Sequence, residues 1–197
     1  MLKGKSALVT GSTSGIGEAI ARALAKAGAN VMLNGFGDAA AIEPQRAGMA
    51  KEYGVKVAYS GADMTKPAEI AAMVKAAEKE FGTVDILVNN AGIQRRAPLA
   101  TFDAADWREL MAANLDSVYF VSKAVAPHMI ARKRGKIINI GSVQCELARP
   151  GIAPYTASKG AVRNLTRGMC ADWARHGIQI NAIAPGYFAT PLNQALI

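Results

Sequence analysis

Residues that bind metals or form disulfides are scarce in this sequence, which has two cysteines and two histidines among 197 residues. Cys145 and Cys170 lack CxxC or metal-ligand spacing, and His128 and His176 sit in no HxxEH pattern. A zinc centre, a disulfide framework and a histidine-assisted serine hydrolase therefore have little to build on. The cysteines read instead as small, buried or half-buried hydrophobes in a reduced cytoplasm. No apolar run reaches the roughly 18 residues of a membrane helix. The start, Met1-Leu2-Lys3-Gly4-Lys5, leads into an apolar run with no signal-peptide pattern. A cytoplasmic protein that engages no membrane is expected. Acidic residues are outnumbered 15 to 23 by Lys and Arg, for a net charge of +8. Nucleic-acid binding would call for basic residues clustered among aromatics. The one basic run, Arg132-Lys133-Arg134, falls at a predicted solvated turn, so no nucleic-acid partner is expected. A basic surface can still help to attract an acidic small molecule.

No linker, repeat or low-complexity segment divides the chain, and half of it is apolar (51%). One globular domain over 1–197 is expected. Strand-like runs at Ser6–Thr10, Asn30–Asn34, Lys56–Tyr59, Asp85–Asn89, Lys136–Gly141 and Gln179–Ala184 alternate with amphipathic stretches. The latter lie at about 18–28, 38–53, 67–81, 104–131 and 156–176. Such alternation predicts an α/β fold, a doubly wound parallel sheet with helices on both faces and strand order 3-2-1-4-5-6.

Two local patterns carry chemistry. Gly11-Ser12-Thr13-Ser14-Gly15-Ile16-Gly17 joins the first strand to the first helix. There glycines let backbone approach a pyrophosphate, and a helix N-terminus supplies amide donors. The spacing G-x3-G-x-G differs from the G-x-G-x-x-G dinucleotide fingerprint. Further on, Tyr155 and Lys159 stand one helical turn apart, downstream of Ser142 at the end of an apolar run. An ammonium on the same face as a phenol favours phenolate, lowering a pKa ordinarily near 10. Alone, the pair is more readily an incidental feature of a surface helix. The dinucleotide turn gives it a context.

Thr10-Gly11-x3-Gly15-x-Gly17, Asn89-Asn90-Ala91-Gly92, Asn114, Ser142, Tyr155-x3-Lys159 and Pro185-Gly186 occur in that order. On these motifs the chain resembles the short-chain dehydrogenase/reductases nearly end to end. The resemblance implies a Rossmann-type fold, a nicotinamide coenzyme, and interconversion of a secondary alcohol and a ketone. It makes Tyr155 the general acid/base, Ser142 the group that orients the substrate oxygen, and Lys159 the residue that tunes the phenol and holds the coenzyme ribose. Asn114 would kink its helix and position a water linked to Lys159; its bland alternative is an exposed helix amide. Coenzyme contacts are expected from Gly11, Ser14, Gly15, Ile16, Gly17, Phe36, Asp63, Met64, Asn90, Ala91, Gly92, Tyr155, Lys159, Pro185, Gly186 and Thr190. For Asp63 and Thr190, helix capping or ordinary loop placement is the alternative. The resemblance also implies a homotetramer, and a further helix and seventh strand that the sequence as given does not contain.

Coenzyme and substrate are read from departures. The second strand ends Asn34-Gly35-Phe36, and neither it nor the glycine turn carries a cation for a 2′-phosphate. NAD is expected, with NADP as the alternative. The first half, notably Leu33–Ala40, resembles D-3-hydroxybutyrate dehydrogenases, whereas the second resembles gluconate 5-dehydrogenases. Where the former hold a carboxylate with histidine and lysine, this sequence has Gln144 and Ile152. Gln94, Arg95, Arg96, Gln144 and Arg149, with Ser142 and Tyr155, are the expected substrate contacts, and a sugar acid of the gluconate/5-ketogluconate type is the expected small-molecule substrate. The alternatives are hydroxybutyrate, another ketone or 3-oxoacyl substrate, and a coenzyme-binding scaffold without turnover. No metal is expected.

Overall fold

Six short runs rich in Val, Ile, Leu and Ala form one parallel sheet, as expected of strands covered on both faces. A computed structural model describes residues 1–190. The strands are β1 (Ser6–Val9), β2 (Asn30–Asn34), β3 (Val57–Ser60), β4 (Ile86–Asn89), β5 (Gly135–Ile140) and β6 (Ile178–Ile183). Their order is β3-β2-β1-β4-β5-β6, which agrees with the sequence reading. Ala7 pairs with Val31 on one side and Ile86 on the other, and Ile138 pairs with Asn181. Every residue of the central β1 and β4 is buried. No seventh strand occurs among the described residues.

The helices α1 (Gly15–Lys26) and α2 (Ala39–Tyr53) cover one face, placing Ala21, Ala25 and Met49 against Val9, Val31, Leu33 and Val88. On the other face lie α3 (Pro67–Phe81), α5 (Ser117–Ala131) and α6 (Ala153–Trp173). They pack Met73, Val121, Val125, Met129 and Val162 against Leu8, Leu87 and Ile137. Leu87 is fully buried, and truncation to Ala at such a site costs roughly 2–5 kcal/mol. Helix ends follow their sequence signals. The Asp38 carboxylate accepts from Ala40 N at 2.9 Å to cap α2, which stops at Gly54; α3 opens on Pro67 and stops at Gly82.

The segment expected as one helix over 104–131 is broken. α4 (Ala104–Met111) passes through a π-helical turn, Ala112–Asp116, before α5 begins. Asn114 lies in that turn and is fully buried rather than exposed. The basic turn also differs from expectation. Arg132 is not simply solvated, because its guanidinium donates to the buried Asp85 carboxylate at 3.0 Å and to the Val84 carbonyl at 3.0 Å.

Candidate active site

Parallel strands with helices behind them leave a crevice beyond their carboxyl ends, and one cleft runs along that edge here. Each expected coenzyme position lines it, from the glycine turn through Asp63 and Met64 to Pro185, Gly186 and Thr190. The glycines are dictated by closeness. A Cβ on Gly17 would sit 2.1 Å from the Gly11 carbonyl oxygen, and one on Gly11 would sit 2.8 Å from Ala91 Cα. Gly11 also has φ 60°, where other residues are strained.

What presses these turns together is a polar brace. Asn90 Nδ2 donates to the Thr10 and Gly11 carbonyls at 2.9 Å each, and Thr10 Oγ1 accepts from the Asn90 and Ala91 amides at 2.9 and 3.0 Å. Asn34, which sequence reasoning gave no role, completes the support. Fully buried at the end of β2, it accepts from Gly11 N at 3.2 Å and donates to the Ser60 and Ala62 carbonyls. A polar residue closing a buried strand was the available signal. Ser14 precedes α1 but makes no side-chain cap. The first amides of that helix therefore keep their capacity for an anion, and the turn fits a dinucleotide phosphate.

The far end of the cleft is lined by Thr13, Asn34, Gly35 and Phe36, the last 67% exposed. Neither lysine nor arginine lines this end among the described residues. Arg46, on α2, is engaged by Glu43 and by the Val57 carbonyl at 2.7 Å. Asp63 combines both of its readings. It lines the cleft, yet its carboxylate accepts from Thr65 N and Oγ1 at 2.8 Å each. The backbone hydrogen bond from Thr65 is the main reason its carboxyl lies below the ordinary range.

At the opposite end β5 leads to Ser142, and the first two turns of α6 deliver Tyr155 and Lys159. Ser142 is buried, its Oγ accepting from Gln144 N at 3.2 Å. The expected lowering of the Tyr155 phenol by the ammonium is corrected here. Burial pushes the phenol up, while its hydrogen bond with Ser142 pulls the other way. Lys159 Nζ lies 5.8 Å from the Tyr155 ring centroid and donates to the Ile140 carbonyl at 2.8 Å. Its rotamer thus carries the charge to the backbone of β5. Lys159 itself is buried, and desolvation lowers its pKa to about 8.

Asn114 supports this end from behind and does not line the cleft. Its Oδ1 accepts from Ile93 N at 2.8 Å, and its Nδ2 donates to the Ile93 carbonyl at 3.0 Å and to Ser158 Oγ at 3.2 Å. It thereby joins the loop after β4 to the turn of α6 between Tyr155 and Lys159.

Among the expected substrate contacts, Gln94, Gln144 and Arg149 line the cleft, whereas Arg95 and Arg96 do not. Arg95 turns onto α4, pairing with Glu109 at 2.6 Å and Asp106 at 3.4 Å. Arg96 is exposed. Past Gln94 the Arg95 side chain leaves the cleft for α4 while Ala97 N donates to the Gly151 carbonyl at 3.2 Å, which the sequence gave no means of seeing. Tyr187, missed by sequence reasoning, lines the cleft beside Gln144 and Arg149.

Chemically, this edge pairs an anion-binding turn with a hydroxyl, a protonated phenol and a buried cation. That is a donor set for positioning an oxygen and exchanging its proton.

Known proteins share both sequence and fold. The sequence matches the family described as short chain dehydrogenase over residues 5–197. It is 54% identical over 196 residues to gluconate 5-dehydrogenase of Gluconobacter oxydans, covering 100% of this chain and 76% of the relative. To D-beta-hydroxybutyrate dehydrogenase of Cupriavidus necator it is 44% identical over 194 residues, 98% of this chain and 74% of the relative. The crystal structure of a gluconate 5-dehydrogenase from Burkholderia cenocepacia in complex with NADP and tartrate superposes with a TM-score of 0.93. Identity there is 54%, over 99% of this chain and 76% of that one. With fold, motif order and matched length in agreement, the chain belongs to the short-chain dehydrogenase family, oxidoreductases that act on CH–OH groups with a nicotinamide coenzyme.

Proposed function

We propose that the protein interconverts a sugar acid and its keto form, of the gluconate/5-ketogluconate type, using NAD(H). The observation that carries the substrate reading is the position of Arg149 and Gln144, which line the cleft beside Ser142 and Tyr155. A guanidinium suits a carboxylate, and an amide suits a hydroxylated chain. Gluconobacter and Burkholderia relatives named for gluconate, each 54% identical, support it.

Bound nicotinamide supplies the hydride acceptor or donor. Ser142 Oγ donates a hydrogen bond to the substrate oxygen and fixes its place. Tyr155 exchanges the proton at that oxygen; with burial raising its pKa, the phenol is protonated at neutral pH and suits the reductive direction. Lys159 supplies positive charge beneath the phenol and donors for the ribose. Asn114 holds the loop after β4 against α6. The turn of Gly11, Ser14, Gly15, Ile16 and Gly17 takes the phosphates, with Phe36, Asp63 and Met64 toward the adenosine. Asn90, Ala91, Gly92, Pro185, Gly186 and Thr190 border the remainder.

NAD is preferred because the adenosine end offers no cation to a 2′-phosphate and Arg46 is held by Glu43. The Burkholderia relative's complex with NADP keeps NADP as the second reading. The single-domain, cytoplasmic, homo-oligomeric expectation stands as part of the proposal. The one sheet supports the single domain, and the exposed Trp107 and Tyr119 along α4 and α5 support the homo-oligomer. Steady-state kinetics test the whole reading. Reduction of 5-ketogluconate with NADH should exceed that with NADPH, and gluconate should be oxidised faster than 3-hydroxybutyrate. Faster oxidation of 3-hydroxybutyrate would replace the sugar acid with a short hydroxy acid.

A further inference from the structure

Three side chains at the substrate end form a cluster whose bonding is incomplete in a specific way. Gln144, in the short turn after β5, is only 6% exposed. Its Nε2 donates to Tyr187 Oη at 3.4 Å, and its acceptor Oε1 is buried without a hydrogen-bond partner. The Arg149 guanidinium lies over the Tyr187 ring, 5.8 Å from the centroid, and Arg149 Nε is likewise buried and unpartnered. Among the described residues no carboxylate lies within ion-pair reach of Arg149. Tyr187 comes from the loop after β6, which is tied to the other loop by Val143 N donating to the Pro185 carbonyl at 3.1 Å. One aromatic side chain therefore touches two residues that line the cleft, Gln144 and Arg149.

A buried polar atom without a partner is unfavourable until a ligand pairs it. The two orphans here differ in sign. Gln144 Oε1 can only accept, so it requires a hydroxyl and repels a carboxylate oxygen. Arg149 Nε can only donate, so it requires an acceptor, best an anionic one. In this arrangement Tyr187 Oη takes the amide's NH2 and leaves Oε1 as the end without a partner. Because its ring lies against the guanidinium, it also fixes where the cation stands.

We propose that Tyr187 is a specificity-determining residue that holds Gln144 as a hydroxyl acceptor and Arg149 as a carboxylate donor, so that the cleft selects hydroxylated acids over unsubstituted ones. This rests on the sugar-acid reading above and assigns it to named atoms. Tyr187 is 61% exposed, so a ligand can cover it without displacing core.

The test is a double-mutant cycle on the full chain, using Tyr187→Phe, Gln144→Leu and the pair, with gluconate and NAD. Tyr187→Phe keeps the ring against Arg149 and removes only the hydroxyl. Each single change is expected to raise KM for gluconate about fivefold, the weight of one hydrogen bond. The double variant should show about the loss of one single change rather than the product of both, since they act through one contact. KM for NAD reports the packing of the same loop, whose Thr190 borders the coenzyme cleft. Multiplicative losses, an unchanged gluconate KM, or a rise in NAD KM equal to that for gluconate would each overturn the role of Tyr187 while leaving the sugar-acid reading intact. A wild-type protein that turns over neither gluconate nor 5-ketogluconate with either coenzyme would overturn the sugar-acid reading, and this assignment with it.

Discussion

Replacing Lys159 with Met should stabilise the protein without coenzyme at neutral pH while disabling it. Lys159 is 5% exposed, and burial takes its pKa from 10.5 to about 8. One pH unit corresponds to roughly 1.4 kcal/mol, so below pH 8 the folded state carries about 3 kcal/mol of destabilisation from this charge. The bond to the Ile140 carbonyl at 2.8 Å offsets some of it, and the variant loses that bond, worth roughly 1–2 kcal/mol. The net gain expected for Lys159→Met at pH 7 is about 1–2 kcal/mol. Its pH dependence is the sharper test. A lysine with a lowered folded pKa is destabilising below that pKa, and the effect is relieved as pH rises toward the unfolded value. The wild type should therefore gain on the variant between pH 8 and 10.5, by about 2 kcal/mol from pH 7 to pH 10. Urea unfolding of both proteins at equal protomer concentration, followed by Trp107 and Trp173 fluorescence, measures this gap, and other titrations largely cancel in the comparison. A gap constant from pH 7 to 10 would refute the argument that Lys159 is a desolvated charge.

Tyr155→Phe retains the ring but not the proton, and turnover should fall at least about 10²-fold with NAD(H) affinity, measured by coenzyme fluorescence, little altered. Near-wild-type turnover would remove Tyr155 from the mechanism. Phe36→Arg supplies a cation at the adenosine end, and kcat/KM with NADPH should rise relative to NADH; no change in the ratio would mean that the phosphate is held elsewhere. Arg149→Leu should raise KM for gluconate roughly tenfold or more, the weight of a charged hydrogen bond, whereas Arg95→Ala, which breaks only exposed pairs to Glu109 and Asp106, should change it less than about twofold. The reverse order would return the carboxylate to the loop after β4.

Strand positions and their order were legible because each strand is an apolar run between turn residues, and alternation with helices leaves few topologies. The cleft was legible for the same reason: Gly11, Asn90, Ser142 and Pro185 each stand at the end of a run, so a parallel sheet brings them to one edge. What failed depended on direction rather than position. Arg95 follows Gln94 by one residue, but its side chain turns onto α4. Lys159 shares a helical face with Tyr155, but its rotamer sends the ammonium to Ile140. Tyr187 follows Pro185-Gly186 with nothing local to say which way its ring faces. Periodicity detected helix throughout 104–131 and could not register a change of hydrogen-bond pattern within it.

That change at Ala112–Asp116 has a consequence for how the gene can vary. A π-helical turn accommodates one residue more than an α-helical turn of the same span, and each residue in an α-helix advances the side chains by about 100°. Losing a single codon here would let α4 and α5 join as continuous α-helix. Because the wide turn absorbs its extra residue, α5 would keep Val118, Val121, Val125 and Met129 toward the core. The change of about 100° would fall inside the turn, taking Asn114 away from Ile93 and Ser158. Point substitutions on the outer surface of α5 leave those bonds untouched. Length in this turn should therefore be held under stricter selection than residue identity along the helix that follows.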